Sequence, residues 1–166
     1  MPISAGETIS AAEYGEHPRI IARGRRTSNT GAVSAVTGVL RLDDIPLAAG
    51  RSYRIMTNGV PIDGTVTTDM FRMEIRYTAD GSTPTAASTT LPGAWARGNI
   101  GNTTDGPIAN ITADYAPAGA ETLSLILCIA RSQGTGTMQV LADPSFPVDM
   151  WVEDMGEDPG DTGTDI

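Results

Sequence analysis

The chain has 166 residues, 40% of them apolar, and carries 11 basic against 20 acidic side chains for a formal charge of −9. That size and composition suit one folded domain and exclude a disordered chain or one that grips nucleic acid through a basic face. One cysteine, Cys128, and one histidine, His17, exclude an internal disulfide and a zinc site built on Cys and His ligands.

Residues 1–18 are weakly patterned, broken by Pro2, Gly6, Gly15 and Pro18, with room for one helical turn over Thr8 to Tyr14. They read as an N-terminal arm, frayed or ordered against a neighbouring subunit. The start, M-P-I-S-A-G-E-T, has no basic stretch followed by an apolar one, and no run reaches the roughly 18 apolar residues of a membrane span. The expectation is a soluble protein made in the cytoplasm, with no membrane partner.

A first short strand is expected over Arg19 to Arg26, ending in the basic cluster Arg23, Arg25 and Arg26, and T-S-N-T-G then turns the chain. Val36 to Leu42 is the second strand, closed by a corner at Pro46 and Gly50. Arg51 to Thr57 alternates, with Tyr53 and Ile55 inward. The clearest alternation is Phe71 to Thr78: Phe71, Met73, Ile75 and Tyr77 line one face, and Arg72, Glu74, Arg76 and Thr78 a wet one. Asp80-Gly81 ends it as a turn. Thr83 to Gly106 reads as a long loop, rich in Thr, Ala, Gly and Pro, that contains a short strand or acts outside the domain.

Ile108 to Tyr115 is a weaker strand, and A-P-A-G-A leads into Thr122 to Arg131, the run T-L-S-L-I-L-C-I-A-R. Leu123, Leu125, Leu127 and Ile129 share one face of it, and Ile126, Cys128 and Ala130 the other. A strand apolar on both faces is covered on both sides, so this one should be central. S-Q-G-T-G-T should then make a hairpin that returns antiparallel through Met138 to Ala142. Val148, Met150 and Val152 alternate with Asp149, Trp151 and Glu153 in the last strand. About eight strands and no helix predict an all-β, antiparallel β-sandwich of jelly-roll type. The expected divisions are an N-terminal arm at 1–18, the sandwich at 19–153 and an acidic C-terminal tail at 154–166.

Seven acids and no base fall in the last eighteen residues, which leaves 13 acids against 11 bases in the rest. Every base is arginine, a residue suited to fork-shaped pairing with carboxylates and coded by GC-rich triplets. Catalysis by a Ser-His-acid set needs an imidazole, and His17 sits in the arm. Phosphate-loop, dinucleotide and metalloprotease motifs are absent. The pairs Asp43-Asp44 and Glu153-Asp154 face opposite ways along a strand and do not converge on one atom. The run D-P-G-D-T-G-T-D lacks the ligand spacing of a calcium loop and reads as a solvated tail. The N-x-T sequences at Asn102 and Asn110 matter only in a secreted protein. The expectation is therefore a protein that is no enzyme and holds no cofactor or metal. Arg23, Arg25 and Arg26 are read as meeting carboxylates across a subunit interface, or else as a solvated turn. Trp95 is read as packed inside, or else as an exposed anchor. With Ile3, Ile9 and Trp151 these four complete the candidate subunit-interface residues.

Four segments resemble a group of small virion proteins of tailed bacteriophages that infect high-GC actinobacteria, described as minor tail proteins. They are V-L-R-L-D-D-I-P-L-A-A-G-R-S-Y-R-I at 39–55, R-Y-T-A-D-G-S-T-P at 76–84, L-S-L-I-L-C-I-A-R at 123–131 and M-W-V-E-D-M-G-E-D-P-G at 150–160. The similar proteins often have proline where this chain has Glu157. The resemblance implies an assembly component of the virion, made in the host cytoplasm, without catalytic residues. Its partners would be other virion proteins and copies of itself, expected as a homotrimer. Capsid decoration and host-glycan binding by the tail are the alternative roles.

Overall fold

The apolar run around Leu125 forms the middle of an inner strand, as its two apolar faces require. Leu123, Leu125 and Leu127 are fully buried on one face, and Cys128 and Ala130 are buried on the other. The computed structural model describes residues 18–102, 106–158 and 160, and in it this run lies within the longest of eleven strands. In chain order they are β1 (Arg19–Arg26), β2 (Thr37–Leu47), β3 (Arg51–Asn58), β4 (Val60–Gly64), β5 (Met70–Thr78), β6 (Thr89–Asn99), β7 (Ile108–Ala109), β8 (Thr112–Tyr115), β9 (Glu121–Gln133), β10 (Met138–Val140) and β11 (Val148–Glu157).

Two four-stranded sheets, ordered β1-β11-β3-β8 and β2-β9-β5-β6, face each other. Every ladder is antiparallel. Apart from β5 and β6, which are neighbours in one sheet, consecutive strands of the sandwich fall in alternate sheets, which is the winding of an eight-stranded jelly roll. The inward residues Tyr53 and Ile55 of β3, Phe71, Met73 and Ile75 of β5, and Val148, Met150 and Val152 of β11 close one apolar core with β9. A third sheet, ordered β10-β4-β7, is built from the connections β3 to β5, β6 to β8 and β9 to β11. All three leave the sandwich at the same end, since Met70 at the start of β5 pairs with Gln133 and Asn99 at the ends of β9 and β6. Val60, Ile62 and Val140 turn inward and are fully buried, so this small sheet caps that end of the core.

Several elements differ from expectation. The corner expected at Pro46 and Gly50 turns at Gly50, between β2 and β3, whereas β2 itself runs past Leu42 through a bulge to Leu47. Asp44 takes φ 56° in that bulge, its N–H donates to Ser124 Oγ at 3.1 Å, and pairing resumes at Ile45. Pro46 is tolerated because β2 is an edge strand of its sheet. The expected long loop holds an eleven-residue strand, β6, in which Leu91 and Ala94 both point inward. Their spacing of three comes from a bulge at Pro92-Gly93, where Gly93 takes φ 72°, and the bulge hides the period of two. The segment after β9 does not return as its hairpin. Asp69, 1% exposed, accepts the N–H groups of Thr135 at 3.1 Å and Gly136 at 2.6 Å, and β10 pairs with β4. The wet face expected on β5 is interrupted by Glu74, buried at 2% exposure. The boundary expected after residue 153 falls inside β11, where Asp154 is buried.

Candidate functional site

The chemistry on the surface is dominated by arginine, and most of it is used within the chain. Asp149 of β11 lies directly opposite Arg25 of β1 and accepts from Arg25 Nε at 2.8 Å and Nη2 at 3.1 Å, and from Arg23 Nη2 at 2.7 Å. Arg25's hydrogen bonds, with help from Arg23, hold its carboxyl below the usual carboxylate range against the opposing effect of burial. At the other end of β11, burial pushes the Asp154 carboxyl up. The Arg51 bonds, at 2.6 to 3.0 Å, the Gly156 N–H and the charge of Arg19 outweigh it and leave it lowered. Arg26 donates to the carbonyls of Ser28 at 2.6 Å, Asn29 at 2.7 Å and Val39 at 3.1 Å.

Arg23, Arg25 and Arg26 therefore find partners inside the chain, the first two on the one carboxylate of Asp149 and the third on backbone carbonyls. The signal was the pairing of strands far apart in sequence, which no local pattern contains. Trp151 lies half-buried beside Arg23 in the ladder and donates from Nε1 to Glu153 at 3.0 Å. Trp95, read as packed inside or else as an exposed anchor, is 59% exposed on the outer face of β6. The bulge at Pro92-Gly93 sets which residues of β6 point outward, so an inward reading of Trp95 misjudged the phase. The two tryptophans sit on different sheets, and the structure does not bring them together. Ile3 and Ile9 lie outside the described residues. Among the described residues no group of three His, Cys, Asp or Glu is arranged to hold a metal ion.

The surface that stands out is the outer face of the capping sheet. Pro61 of β4 is flanked in the ladder by Ile108 of β7, and on its other side its carbonyl accepts the Leu141 N–H at 3.0 Å, just past β10. Their neighbours Val60, Ala109 and Val140 are buried, so by strand alternation Leu141, Pro61 and Ile108 form one outward row. Ile108 is 68% exposed. In the turn that follows, Phe146 is 73% exposed, its N–H held by Asp143 Oδ1 at 2.9 Å. Ile108 and Phe146 are two of the four large apolar side chains exposed among the described residues, and the half-buried Pro61 and Leu141 extend the row beside Ile108. Sequence reading missed this row and the Phe146 beside it. The only available cue was Phe146 sitting in D-P-S-F-P among turn residues.

No protein-family model matches the chain, and no curated protein matches it. Among solved structures, the xylan-binding CBM22-1 domain of Paenibacillus barcinonensis Xyn10C is similar at 7% identity and a TM-score of 0.38, over 86% of this chain and 99% of that one. The Eiger TNF structure from S. frugiperda gives 9% identity and a TM-score of 0.37 over 89% and 100%. The CBM22-1-GH10 modules of Clostridium thermocellum endo-1,4-β-D-xylanase 10B give 12% identity and a TM-score of 0.38 over 81% of this chain, which spans only 28% of that one. At such identities these likenesses concern strand arrangement and decide nothing about ligands.

Proposed function

We propose that the protein is a structural component of a bacteriophage virion, a minor tail protein that works by occupying a place in an assembly. The observation that carries this reading is the apolar row Leu141, Pro61 and Ile108 with Phe146 beside it. A surface of this kind gains from being covered by another protein, since burying a large apolar side chain stabilises by about 1.5 to 3 kcal/mol. The four segments that resemble phage minor tail proteins fall on β2 and β3, β5 and its turn, β9 and β11, so they trace the sandwich that carries the capping sheet. The working form is a symmetric homo-oligomer, a trimer, in which one patch is reused at every contact. Its role requires no catalytic group and no cofactor.

The test is localisation followed by perturbation. Antibody against the chain, used in gold-label electron microscopy of purified virions, should mark the tail. Label on the head would replace the tail reading with capsid decoration, and unlabelled virions would overturn a virion role. Ile108→Ser with Phe146→Ser should leave the fold intact and keep the protein out of particles. Light scattering behind size exclusion reads the oligomer, and a monomer at micromolar concentration refutes self-association.

A further inference from the structure

A second surface carries chemistry that assembly does not explain. On the outer face of β5 and β6, Arg72 lies directly opposite Arg97 and Glu74 directly opposite Trp95. Arg72, Trp95 and Arg97 line a shallow depression of about 250 Å³. One of the lining residues, Arg72, is anchored: Glu74, 2% exposed, is gripped by Arg72 and Arg76, with Arg76 Nε at 2.7 Å. Arg72 is thereby held in place, sharing the one carboxylate with Arg76. Arg97 differs from the other arginines. Each of the other ten donates to a carboxylate or a backbone carbonyl. Among the described residues Arg97 reaches only the thioether of Met70, at 3.6 Å, a weak acceptor. An exposed indole with an unspent guanidinium beside it is thus presented on a rigid sheet.

We propose that this depression binds one acidic sugar residue of a polysaccharide, a uronate, independently of the assembly role. The apolar C–H face of a pyranose covers the indole, and its carboxylate takes the Arg97 fork, a pairing that is both charge-assisted and bidentate. Of the two guanidiniums that line the depression, Arg97 is the one with no oxygen acceptor among the described residues, and it matches one carboxylate. A nucleic-acid strand would require a row of such cations to neutralise successive phosphates, and this face has no such row. A protein partner would require an apolar centre of several residues, whereas Trp95 is the one large apolar side chain exposed here and is flanked by arginines.

The experiment is an NMR titration of the full chain with tetragalacturonate and, separately, with the uncharged cellotetraose, following the Trp95 indole signal assigned through Trp151→Phe. The expected result is a saturating shift with the uronate at a dissociation constant of about 1 mM. Arg97→Gln should weaken the uronate about tenfold and leave the neutral sugar unchanged, and Trp95→Ala, followed at the backbone amides of β5 and β6, should abolish both while the rest of the spectrum stays that of the folded protein. No indole shift at about 10 mM uronate overturns the proposal. So does equal binding of the two sugars by the unaltered protein, or tighter binding of a thymidine oligonucleotide at the same signals. A Trp95 shift that follows protein concentration without sugar overturns it in favour of a contact between copies. None of these results bears on tail localisation, so the two readings stand or fall separately.

Discussion

Replacing Asp149 by asparagine keeps the shape and an acceptor oxygen but removes the charge that three hydrogen bonds share. Those bonds, at 2.7, 2.8 and 3.1 Å, come from two guanidiniums on β1. A bond to a charged group contributes about 1 kcal/mol more than a neutral one, so the gross loss is about 3 kcal/mol. The guanidiniums are 50% and 51% exposed, and solvent screening cuts the figure to about 1.5 kcal/mol. For a chain of this size that lowers the melting temperature by about 3 to 6 °C at pH 7. The sign with pH is fixed by the direction of the shift. The folded carboxyl titrates below its ordinary value of 3.8, so its contribution is complete above that value and is lost as pH falls through the folded one. Thermal melts by circular dichroism should show Asp149→Asn well below the parent at neutral pH and converging with it in strong acid. Because β1 pairs in its sheet only with β11, its amides should also exchange faster in the variant. A difference within about 1 °C at pH 7 would mean that the arginine cluster does not anchor β1, and would return it to the role of an interface waiting for a partner.

Leu125→Asp should prevent cooperative folding, because an unpaired carboxylate at the centre of the core costs several kcal/mol against a total stability of about 5 to 15; a soluble variant with a sharp thermal transition would show that β9 is not central. The Cys128 thiol, fully buried and pushed up to about 11 mainly by burial, should ignore a disulfide-exchange reagent at pH 8 in the native protein and react once the chain is unfolded. Rapid native labelling would refute that burial.

What the sequence disclosed was whatever repeats with the period of a strand. Phe71, Met73 and Ile75, Tyr53 and Ile55, and the double apolar face of β9 were all legible, because alternation against a core is written in adjacent residues. What stayed hidden had long-range causes. The bulge at Pro92-Gly93 shifts the phase of β6, so its strand character and the outward turn of Trp95 both escape a period-two reading. β4 was invisible because V-P-I-D-G is short and contains a proline, and β10 was assigned to the wrong neighbour because Asp69, more than sixty residues upstream, collects the backbone of the turn. The acidic end of the chain looked unpaired for the same reason. Its counter-charges on Arg23, Arg25 and Arg51 are about a hundred or more residues away in sequence and one strand away in space.

The way the capping sheet is made bears on when the protein becomes competent to assemble. Pro61, Ile108 and Leu141 come from three separate connections, one from each. They form a row only after β3, β5, β6, β8, β9 and β11 have taken their places, because the sandwich fixes where each connection begins and ends. An unfolded or half-folded chain therefore has no such patch to offer, and premature association through it is avoided without a separate device. The end of β11 lies at the opposite end of the sandwich, where the Asp158 N–H donates to the Gly50 carbonyl at 2.9 Å. The acidic stretch that begins there thus starts at the end of the sandwich away from the apolar row.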